Sequence, residues 1–439
     1  MKEKLISFFE YEKKPLKEIF SIESDIDDFY KYLEKENLQN IFNINRTYIQ
    51  AKNHVGVIVY KNYQFEILPK LLRKENENDS QILKNLLFML SYTEELDISD
   101  VDLAKLTNNK NPFLEILIGI YAEFLLSSLL RFIPKNYITE ENKITYLKGK
   151  LIFSEQIKLD IRKNCQFFCE YDEFSENNLL NQTFYYVSKV LYKISKSVSN
   201  QKNLKKILNI YSEVDLKKIK IEDIKNFKLS RNQRIFEKTF SLAKMFLKNS
   251  SIDLNKKEIK TISLIFDMNK LFEEFIYQLI NKNQKKINGL NNIKYQKSKK
   301  LIKSSIDLLN NIENNNKFRN TYTDILLNFD NNTSLILDTK YKINSGERDD
   351  FSNSNSDLYQ MMAYKALYRE CNTQVLLLYP KDIKNFIWKH EINDDLERRN
   401  YIFLSCIDLH IDISSDIKKD DSKILKQLNN CIEAVKQAY

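Results

Sequence analysis

Glycine is scarce in this chain, and its scarcity argues against the common phosphate-binding loops. The 439 residues include five glycines and five prolines. No pair of glycines has the spacing of a P-loop, and Gly149-Lys150 is followed by leucine instead of serine or threonine. The sequence therefore does not predict a nucleotide hydrolase, and we expect any nucleotide-driven step to come from a partner.

Cysteine and histidine are too few, and too dispersed, to predict zinc binding or nucleophilic catalysis. Cys165 and Cys169 form the one close cysteine pair in the sequence, whereas a structural zinc site needs four ligands. His54, His390 and His410 do not lie in a recognisable catalytic pattern. The odd number of cysteines and a polar N-terminus without a secretory signal predict a cytoplasmic protein with reduced thiols.

Long uncharged apolar runs are also missing. The most apolar stretch, residues 113–133, contains Glu115 and Glu123, so it predicts a buried core helix and no membrane contact. The net charge of +9 suits an anionic polymer partner, although solubility alone explains it as well. The basic run from Lys294 to Lys303 is typical of a solvated surface and is also suited to a DNA path.

Two predicted strands carry the residues that point to a chemistry. Apolar and polar residues alternate on both sides of residues 330–332, Asp-Asn-Asn, which predicts an antiparallel hairpin. Asp338 and Lys340 are two residues apart, so their side chains leave the same face of the second strand. Asp324 on the first strand is placed to face them.

Two carboxylates beside an ammonium group are typical of a metal-dependent nuclease centre, because buried charges are costly unless they are paired or bind metal. Asp324 and Asp338 would hold Mg²⁺, with Mn²⁺ as its substitute, since carboxylate oxygens are the preferred ligands. Lys340 would orient the attacking water, with a pKa that burial is expected to lower. A surface hairpin with a cross-strand Asp–Lys pair is an equally good explanation of the spacing alone.

A helix is predicted after the polar loop that follows the hairpin. Asp357 is its expected N-cap, and the helix covers residues 357–368. Gln360 and Tyr364 lie one turn apart on one face, where they are placed to meet DNA phosphate or a metal-bound water. The alternative is an amphipathic helix that only fills core. Further on, residues 375–379 and 401–409 are predicted strands, and residues 422–439 a helix with Ser422 as its N-cap.

These residues resemble the PD-(D/E)xK nuclease superfamily, in which a variable acid, a second acid-x-Lys and, in some members, a Gln-x-x-x-Tyr helix form the site. More narrowly, the chain resembles the McrC family, the nuclease subunits of McrBC-type restriction systems. Thr323 stands where the superfamily usually has proline, a position that shapes the strand and does not bind metal. The matching segments are residues 266–273, 323–325, 337–342 and 357–364, with further similarity at 55–56, 67–70, 149 and 171–178.

The resemblance implies a Mg²⁺-dependent endonuclease subunit of a GTP-dependent phage-defence system, acting on double-stranded and modified DNA. It implies an AAA+ GTPase ring of the McrB type as partner, which McrC proteins cap and stimulate. It implies Glu273 as a further metal-binding acid, with Glu274 as a rival that helical spacing does not exclude. Gln360, Tyr364 and Lys342 would contact DNA. The alternatives are an autonomous RecB-like nuclease and a non-enzymatic assembly protein.

The predicted fold class is mixed α/β, in two or three domains because the chain is too long for one typical core. We expect a β-rich partner-contact module over residues 1–100, a mainly helical middle region over 101–252, and a restriction-endonuclease-like domain with a mixed central sheet over 253–439. Lys61-Asn62 is the expected turn of a hairpin in the first module. In the middle region, residues 149–157 are a predicted strand and residues 171–178 a predicted acidic loop before a helix.

Overall fold

The fold is known from a computed structural model of the chain. It describes residues 4–20, 23–70, 79–93, 112–158, 166–249, 261–300, 305–307, 312–314, 320–330, 332–342, 355–368, 372–381, 384–392, 401–419 and 421–437.

The strands are named in chain order. They are β1 (Lys4–Phe9), β2 (Lys13–Pro15), β3 (Phe42–Ile44), β4 (Tyr48–Ala51), β5 (His54–Tyr60), β6 (Tyr63–Leu68), β7 (Asn136–Ile144), β8 (Lys150–Leu151), β9 (Phe167–Ser175), β10 (Thr261–Asp267), β11 (Leu290–Lys300), β12 (Ser305–Asp307), β13 (Ile312–Asn314), β14 (Asn320–Phe329), β15 (Ser334–Thr339), β16 (Thr373–Pro380), β17 (Ile387–Glu391) and β18 (Tyr401–Ile407).

The helices are named in the same way. They are α1 (Leu16–Ile19), α2 (Glu23–Lys35), α3 (Asp79–Leu90), α4 (Phe113–Leu129), α5 (Phe153–Gln156), α6 (Leu179–Ile194), α7 (Val198–Ile210), α8 (Ile221–Ile224), α9 (Glu237–Lys248), α10 (Met268–Lys282), α11 (Asn355–Leu367), α12 (Ile413–Asp416) and α13 (Lys423–Lys436), with 3₁₀ turns at Arg231–Phe236 and Gln284–Lys286. In the part of the chain that is described, no helix has both the length and the apolar character needed to cross a membrane.

The chain forms two compact units. The first contains Met1–Lys4, Val57–Gln64 and Asn111–Leu264, and the second contains Leu5–Gly56, Phe65–Lys110 and Ile265–Tyr439. The domain limits expected at residues 100 and 252 stay predictions. The mixed α/β fold class predicted from the sequence is confirmed.

Helix α4 lies in the core of the first unit and packs with α7 and α9. It is buried over most of its length, as the apolar run at 113–133 predicts. Glu115 is tolerated there because its carboxylate accepts hydrogen bonds from Ser195 Oγ at 2.7 Å and from Asn200 Nδ2 at 2.8 Å. A buried carboxylate with such donors avoids the cost of an unsatisfied polar group.

The first unit is less purely helical than expected, because it also holds a three-stranded sheet of order β7-β9-β8. Two predictions for this region are therefore wrong in part. Residues 171–175, expected in a loop, end strand β9, while Asn178 caps α6 by accepting a hydrogen bond from Asn181 N. Residues 149–157, expected as a strand, contain the two-residue β8 followed by helix α5.

The N-terminal elements confirm the predicted hairpin. Strands β5 and β6 are joined by Lys61 and Asn62, and Lys61 has a φ of 50°, in the left-handed region that such turns need. A four-stranded sheet has the order β1-β6-β5-β10, and a three-stranded sheet has the order β2-β4-β3.

The second unit is built on a six-stranded mixed sheet of order β11-β14-β15-β16-β18-β17. Strands β15, β16 and β18 run parallel, and the other neighbouring pairs are antiparallel. All six residues of β15 are buried, as expected of a strand covered on both faces. By contrast, β11 alternates between half-buried and exposed residues, as an edge strand does.

The predicted hairpin, helix, strands and closing helix of this unit are all present, as β14–β15, α11, β16, β18 and α13. Strands β11 and β17 were not predicted, because their mixed polar residues lack a clear apolar period. We expected Asp357 to be the N-cap, the residue before α11. In the structure it is the third residue within the helix. Its carboxylate forms an ion pair with Lys342.

Ser422 caps α13, as predicted, and we expect Ser422→Ala to lower the free energy of unfolding by about 1–2 kcal/mol. Its Oγ accepts from Leu425 N at 3.2 Å and donates to buried Asp416 at 2.8 Å. The matched control is Ser197→Ala, because Ser197 precedes α7 without making a side-chain capping bond. Urea unfolding of both variants measures the difference, and equal losses would contradict the capping role.

Candidate active site

The hairpin of β14 and β15 brings the predicted acids together. Its register pairs Ile325 with Leu337, so the same register places Asp324 directly opposite Asp338. Opposite residues in an antiparallel pair share a face of the sheet. The turn contains Asn332 with a φ of 57°, a left-handed angle that asparagine tolerates. The predicted hairpin is confirmed.

Asp338 is the most deeply buried charged residue of the hairpin, with 0% of its surface exposed. Lys340 Nζ lies 2.6 Å from Asp338 Oδ2 and forms an ion pair with it. Among the described residues, neither oxygen of Asp338 accepts a hydrogen bond of good geometry, so this ion pair is its main compensation. Burial, and then the charge of Asp324, raise the pKa of Asp338 to about 7, against the opposing effect of Lys340.

Asp324 is held by the strand that carries Asp338. Thr339 donates to Asp324 Oδ2 twice, from its backbone N at 2.8 Å and from its Oγ1 at 3.1 Å. Burial raises the pKa of Asp324, while the bonds from Thr339 and the charge of Lys340 act in the opposite direction. The two carboxyl groups therefore share one environment, in which neither is easily ionised without a nearby cation.

Lys340 connects the hairpin to helix α11. Its Nζ donates to Gln360 Oε1 at 3.1 Å, Gln360 Nε2 donates to the Tyr364 hydroxyl at 2.6 Å, and that hydroxyl donates to the Tyr322 carbonyl at 2.5 Å. Tyr364 is fully buried, so in this structure it orients Gln360 and does not offer a surface to DNA. The Gln-x-x-x-Tyr pair therefore fixes the position of the lysine.

We expected burial to lower the pKa of Lys340, but in the structure this pKa is raised. Burial alone would lower this pKa, but the charges of Asp338, Asp324 and Asp357 together raise it. Lys340 is consequently a permanent cation in this site at neutral pH. Lys342, which was expected to contact DNA, is paired with Asp357 and is 40% exposed.

Glu273 on α10 also reaches this group of charges. Burial, and then the charge of Asp324, raise the pKa of Glu273, while hydrogen bonds and Lys340 act in the opposite direction. Its rival Glu274 lines a cavity of about 200 Å³ together with Asp267 and Lys270. Glu273 therefore lies within electrostatic range of Asp324, and helical spacing alone did not show this.

Two residues at the site escaped sequence reasoning. Gln296 Nε2 donates to Glu273 Oε1 at 3.1 Å, and the Tyr295 hydroxyl also bonds to Glu273. Both lie in the basic run on β11, where the abundant lysines suggested only a charged surface. No periodic pattern in the sequence links that run to α10, so the contact depends on tertiary packing.

The residues at the site fit a magnesium ion with few protein ligands. In the described ranges, no three His, Cys, Asp or Glu side chains converge closely enough to hold a metal by themselves, so Glu273 does not complete such a cluster with Asp324 and Asp338. Mg²⁺, however, keeps several waters and takes only one or two carboxylates. Asp324 and the poorly compensated Asp338 meet that smaller requirement.

Fold and site together define a mixed α/β protein with a buried carboxylate–lysine centre on an antiparallel hairpin. A family model described as "McrBC 5-methylcytosine restriction system component" matches residues 49–380, well over half of the chain. The chain belongs to this family. The resemblance inferred from the sequence is confirmed.

Solved structures have the same fold. A chain in the "Refined half-complex from tetradecameric assembly of Thermococcus gammatolerans McrB AAA+ hexamers with bound McrC" aligns with a TM-score of 0.74 and 20% identity, covering 98% of this chain and 100% of that one. A chain in the "Cryo-EM structure of the Thermococcus gammatolerans McrBC complex" aligns with a TM-score of 0.52 and 23% identity, covering 64% and 88%. No curated protein sequence matches the chain.

Asp338→Asn is expected to stabilise the metal-free protein at neutral and alkaline pH. Because folding raises the pKa of this carboxyl from 3.8 to about 7, the folded state holds the proton more tightly, and stability falls as pH rises through that window. The wild type loses about 1.36 kcal/mol of stability for each of about three pH units, and the variant avoids this loss. The gain in free energy of unfolding of Asp338→Asn over wild type is therefore at most about 4 kcal/mol.

Urea unfolding in EDTA at a series of pH values from about 4 to about 8 measures this effect, with Asp330→Asn on the exposed turn of the same hairpin as control. The advantage of Asp338→Asn over wild type should grow across the window and then stay constant. A variant that is less stable than wild type at the alkaline end would contradict the assignment of a strained buried charge.

Proposed function

We propose that the chain is the nuclease subunit of an McrBC-type restriction system and that it hydrolyses phosphodiester bonds in double-stranded, modified DNA. The observation that carries the proposal is the group formed by Asp324, Asp338 and Lys340 on one hairpin. For stability alone, an apolar side chain at position 338 would serve at least as well, because an ion pair this deeply buried seldom adds stability. The charges are therefore better explained by a chemical task.

The residues divide this task between them. Asp324 and Asp338 would hold Mg²⁺, with Glu273 close by, and the ion would supply positive charge at the phosphate and lower the pKa of the attacking water. Lys340 supplies a fixed cation beside the carboxylates, suited to hold the water or the developing charge on the phosphate. Gln360, itself fixed by Tyr364, keeps the ammonium group of Lys340 in place.

A GTPase ring of the McrB type is the proposed partner. Family membership supports this proposal, as does the similar solved chain from an assembly of McrB AAA+ hexamers with bound McrC. The chain also lacks a P-loop of its own in the sequence, so GTP would act through the partner.

The sheet β7-β9-β8 of the first unit is the proposed contact surface. Tyr137 and Phe174 pair across it with ring centroids 5.0 Å apart, and they are 74% and 56% exposed. Three more apolar residues are exposed along the same sheet. Leu147 in the β7–β8 connection is 61% exposed, and Phe153 and Ile157, at and just after α5 near the opposite end of β9, are 71% and 81% exposed. Exposed apolar groups in such numbers mark a surface that another protein covers.

We expect Phe153→Asp combined with Ile157→Asp to reduce stimulation of the partner's GTPase at least roughly 10-fold, because a charge in an apolar interface costs several kcal/mol. The control is Val198→Asp, since Val198 is 82% exposed in the same unit but lies on α7. GTP hydrolysis by the McrB-type partner is measured with each variant, and equal stimulation by all of them would remove this surface from the proposal.

The nuclease assignment is tested by cleavage of methylated and unmethylated plasmid with Mg²⁺, with and without partner and GTP. Asp338→Asn should reduce cutting by roughly 10²–10³-fold or more, by analogy with the loss of one preorganised electrostatic group. Asp330→Asn, on the same hairpin, should cut like wild type. Stimulation of the partner's GTPase should be unchanged in both variants.

The same assay separates the alternatives. Cutting by the chain alone without GTP would favour an autonomous RecB-like nuclease. Unchanged cutting by Asp338→Asn would overturn the catalytic assignment. GTPase stimulation without any cutting by wild type, on either plasmid, would favour a non-enzymatic assembly protein.

A further inference from the structure

Gln296 has a backbone conformation that is rare for a residue within a strand. Its φ is 45°, in the left-handed region, although it has a side chain. Its neighbours Tyr295 and Lys297 keep the regular register of β11, pairing with Ile325 and Thr323 of β14. Strain of this kind persists where the surrounding structure enforces it, and it is concentrated at functional sites.

The distortion explains an unusual pair of hydrogen bonds. Consecutive side chains of a regular strand point to opposite faces. Here, however, consecutive residues bind one carboxylate, since Gln296 Nε2 lies 3.1 Å from Glu273 Oε1 and the Tyr295 hydroxyl bonds to Glu273 as well. Gln296 Nε2 is also 3.5 Å from the Tyr295 hydroxyl. A left-handed residue at this point turns both side chains toward α10.

The same helix also fixes Tyr295. The rings of Tyr295 and Tyr277 are stacked, with centroids 4.5 Å apart and planes at 21°. Tyr277 lies one turn after Glu273 on α10, so both side chains share a helix face. Strand β11 therefore contacts α10 at two consecutive turns, and Glu273 lies at the turn nearer the site.

Gln296 also lies beside the acidic pair. The register of its two neighbours places Gln296 across from Asp324 on the adjacent strand. Glu273 in turn interacts electrostatically with Asp324 and Lys340. Without a donor to hold it, the Glu273 carboxylate would turn away from the like charge of Asp324, because the two repel each other.

We propose that Gln296 is a positioning residue, whose strained backbone allows it and Tyr295 to hold the Glu273 carboxylate toward Asp324, where it would support from the outer sphere the metal ion bound by Asp324 and Asp338. This inference rests on the proposed nuclease function.

The proposal predicts that stability and metal affinity change in opposite directions in Gln296→Gly. Glycine adopts the left-handed angle without strain, so the thermal midpoint should stay the same or rise. The amide donor is lost and Glu273 is released, so the affinity for Mn²⁺ should fall by roughly 10-fold or more, as when an outer-sphere contact of a metal site is removed. Tyr295→Phe, which keeps the stacked ring and removes the hydroxyl, should also weaken binding.

The experiment uses the full chain, with thermal unfolding in EDTA and calorimetric titration with Mn²⁺. Asn372→Gly is the matched control, because Asn372 has a φ of 44° in the turn before β16. It should gain or keep stability and bind Mn²⁺ like wild type. Asp338→Asn, which should abolish binding, reports on the metal site itself.

The outcomes separate this inference from the function on which it rests. Wild-type Mn²⁺ affinity in Gln296→Gly, with Asp338→Asn unable to bind, would overturn the positioning role and leave the metal site standing. A lower thermal midpoint in Gln296→Gly would show a structural role and would also overturn the inference. Absence of Mn²⁺ binding by the wild type would overturn the metal site, and the role of Gln296 with it.

Discussion

The buried charge of Asp338 is the constraint around which the second unit is organised. Its carboxylate lies on a strand with no exposed residue, and it is balanced mainly by Lys340, two residues further along the chain. Such a pair is stable only when its partners are held in place, because a small separation leaves a charge uncompensated in a poorly polarisable interior. Gln360 and Tyr364 hold the lysine, Thr339 holds the second acid, Asp324, and the central strands supply the rigid support.

That rigidity comes from the position of the hairpin in the sheet. Strand β15 lies between β14 and β16, with antiparallel pairing on one side and parallel pairing on the other, and its apolar residues are buried on both faces. Helices α10 and α11 carry Glu273 and Gln360, so the acids and the lysine are fixed by regular elements. Sites on strands and helices are held more precisely than sites on loops, and the proposed in-line attack on a phosphate would need that precision.

The sequence was most informative where chemistry and periodicity coincide. Alternation around Asp330 predicted the hairpin, and the two-residue spacing of Asp338 and Lys340 predicted their common face. It was least informative where tertiary contacts decide the outcome: helical spacing gave no choice between Glu273 and Glu274, and nothing local indicated that Lys342 pairs with Asp357. The left-handed angle at Gln296 occurs where β11 contacts α10, and no pattern within a single strand predicts that contact. The sequence therefore indicated the charged residues and the Gln360–Tyr364 pair, but not Tyr295 and Gln296, which contact Glu273.

The most direct test of a metal centre at this hairpin is a crystal structure of the chain with Mn²⁺, with anomalous scattering recorded to locate the ion. We expect an anomalous peak bound by Asp324 and Asp338, with Glu273 turned toward it and Lys340 hydrogen-bonded to Gln360. A peak at another position would contradict a metal centre at this hairpin. So would the absence of a peak at a Mn²⁺ concentration that saturates binding in solution, with Lys340 still paired with Asp338. In that case the buried charges would be structural, and the nuclease assignment would lose its main support.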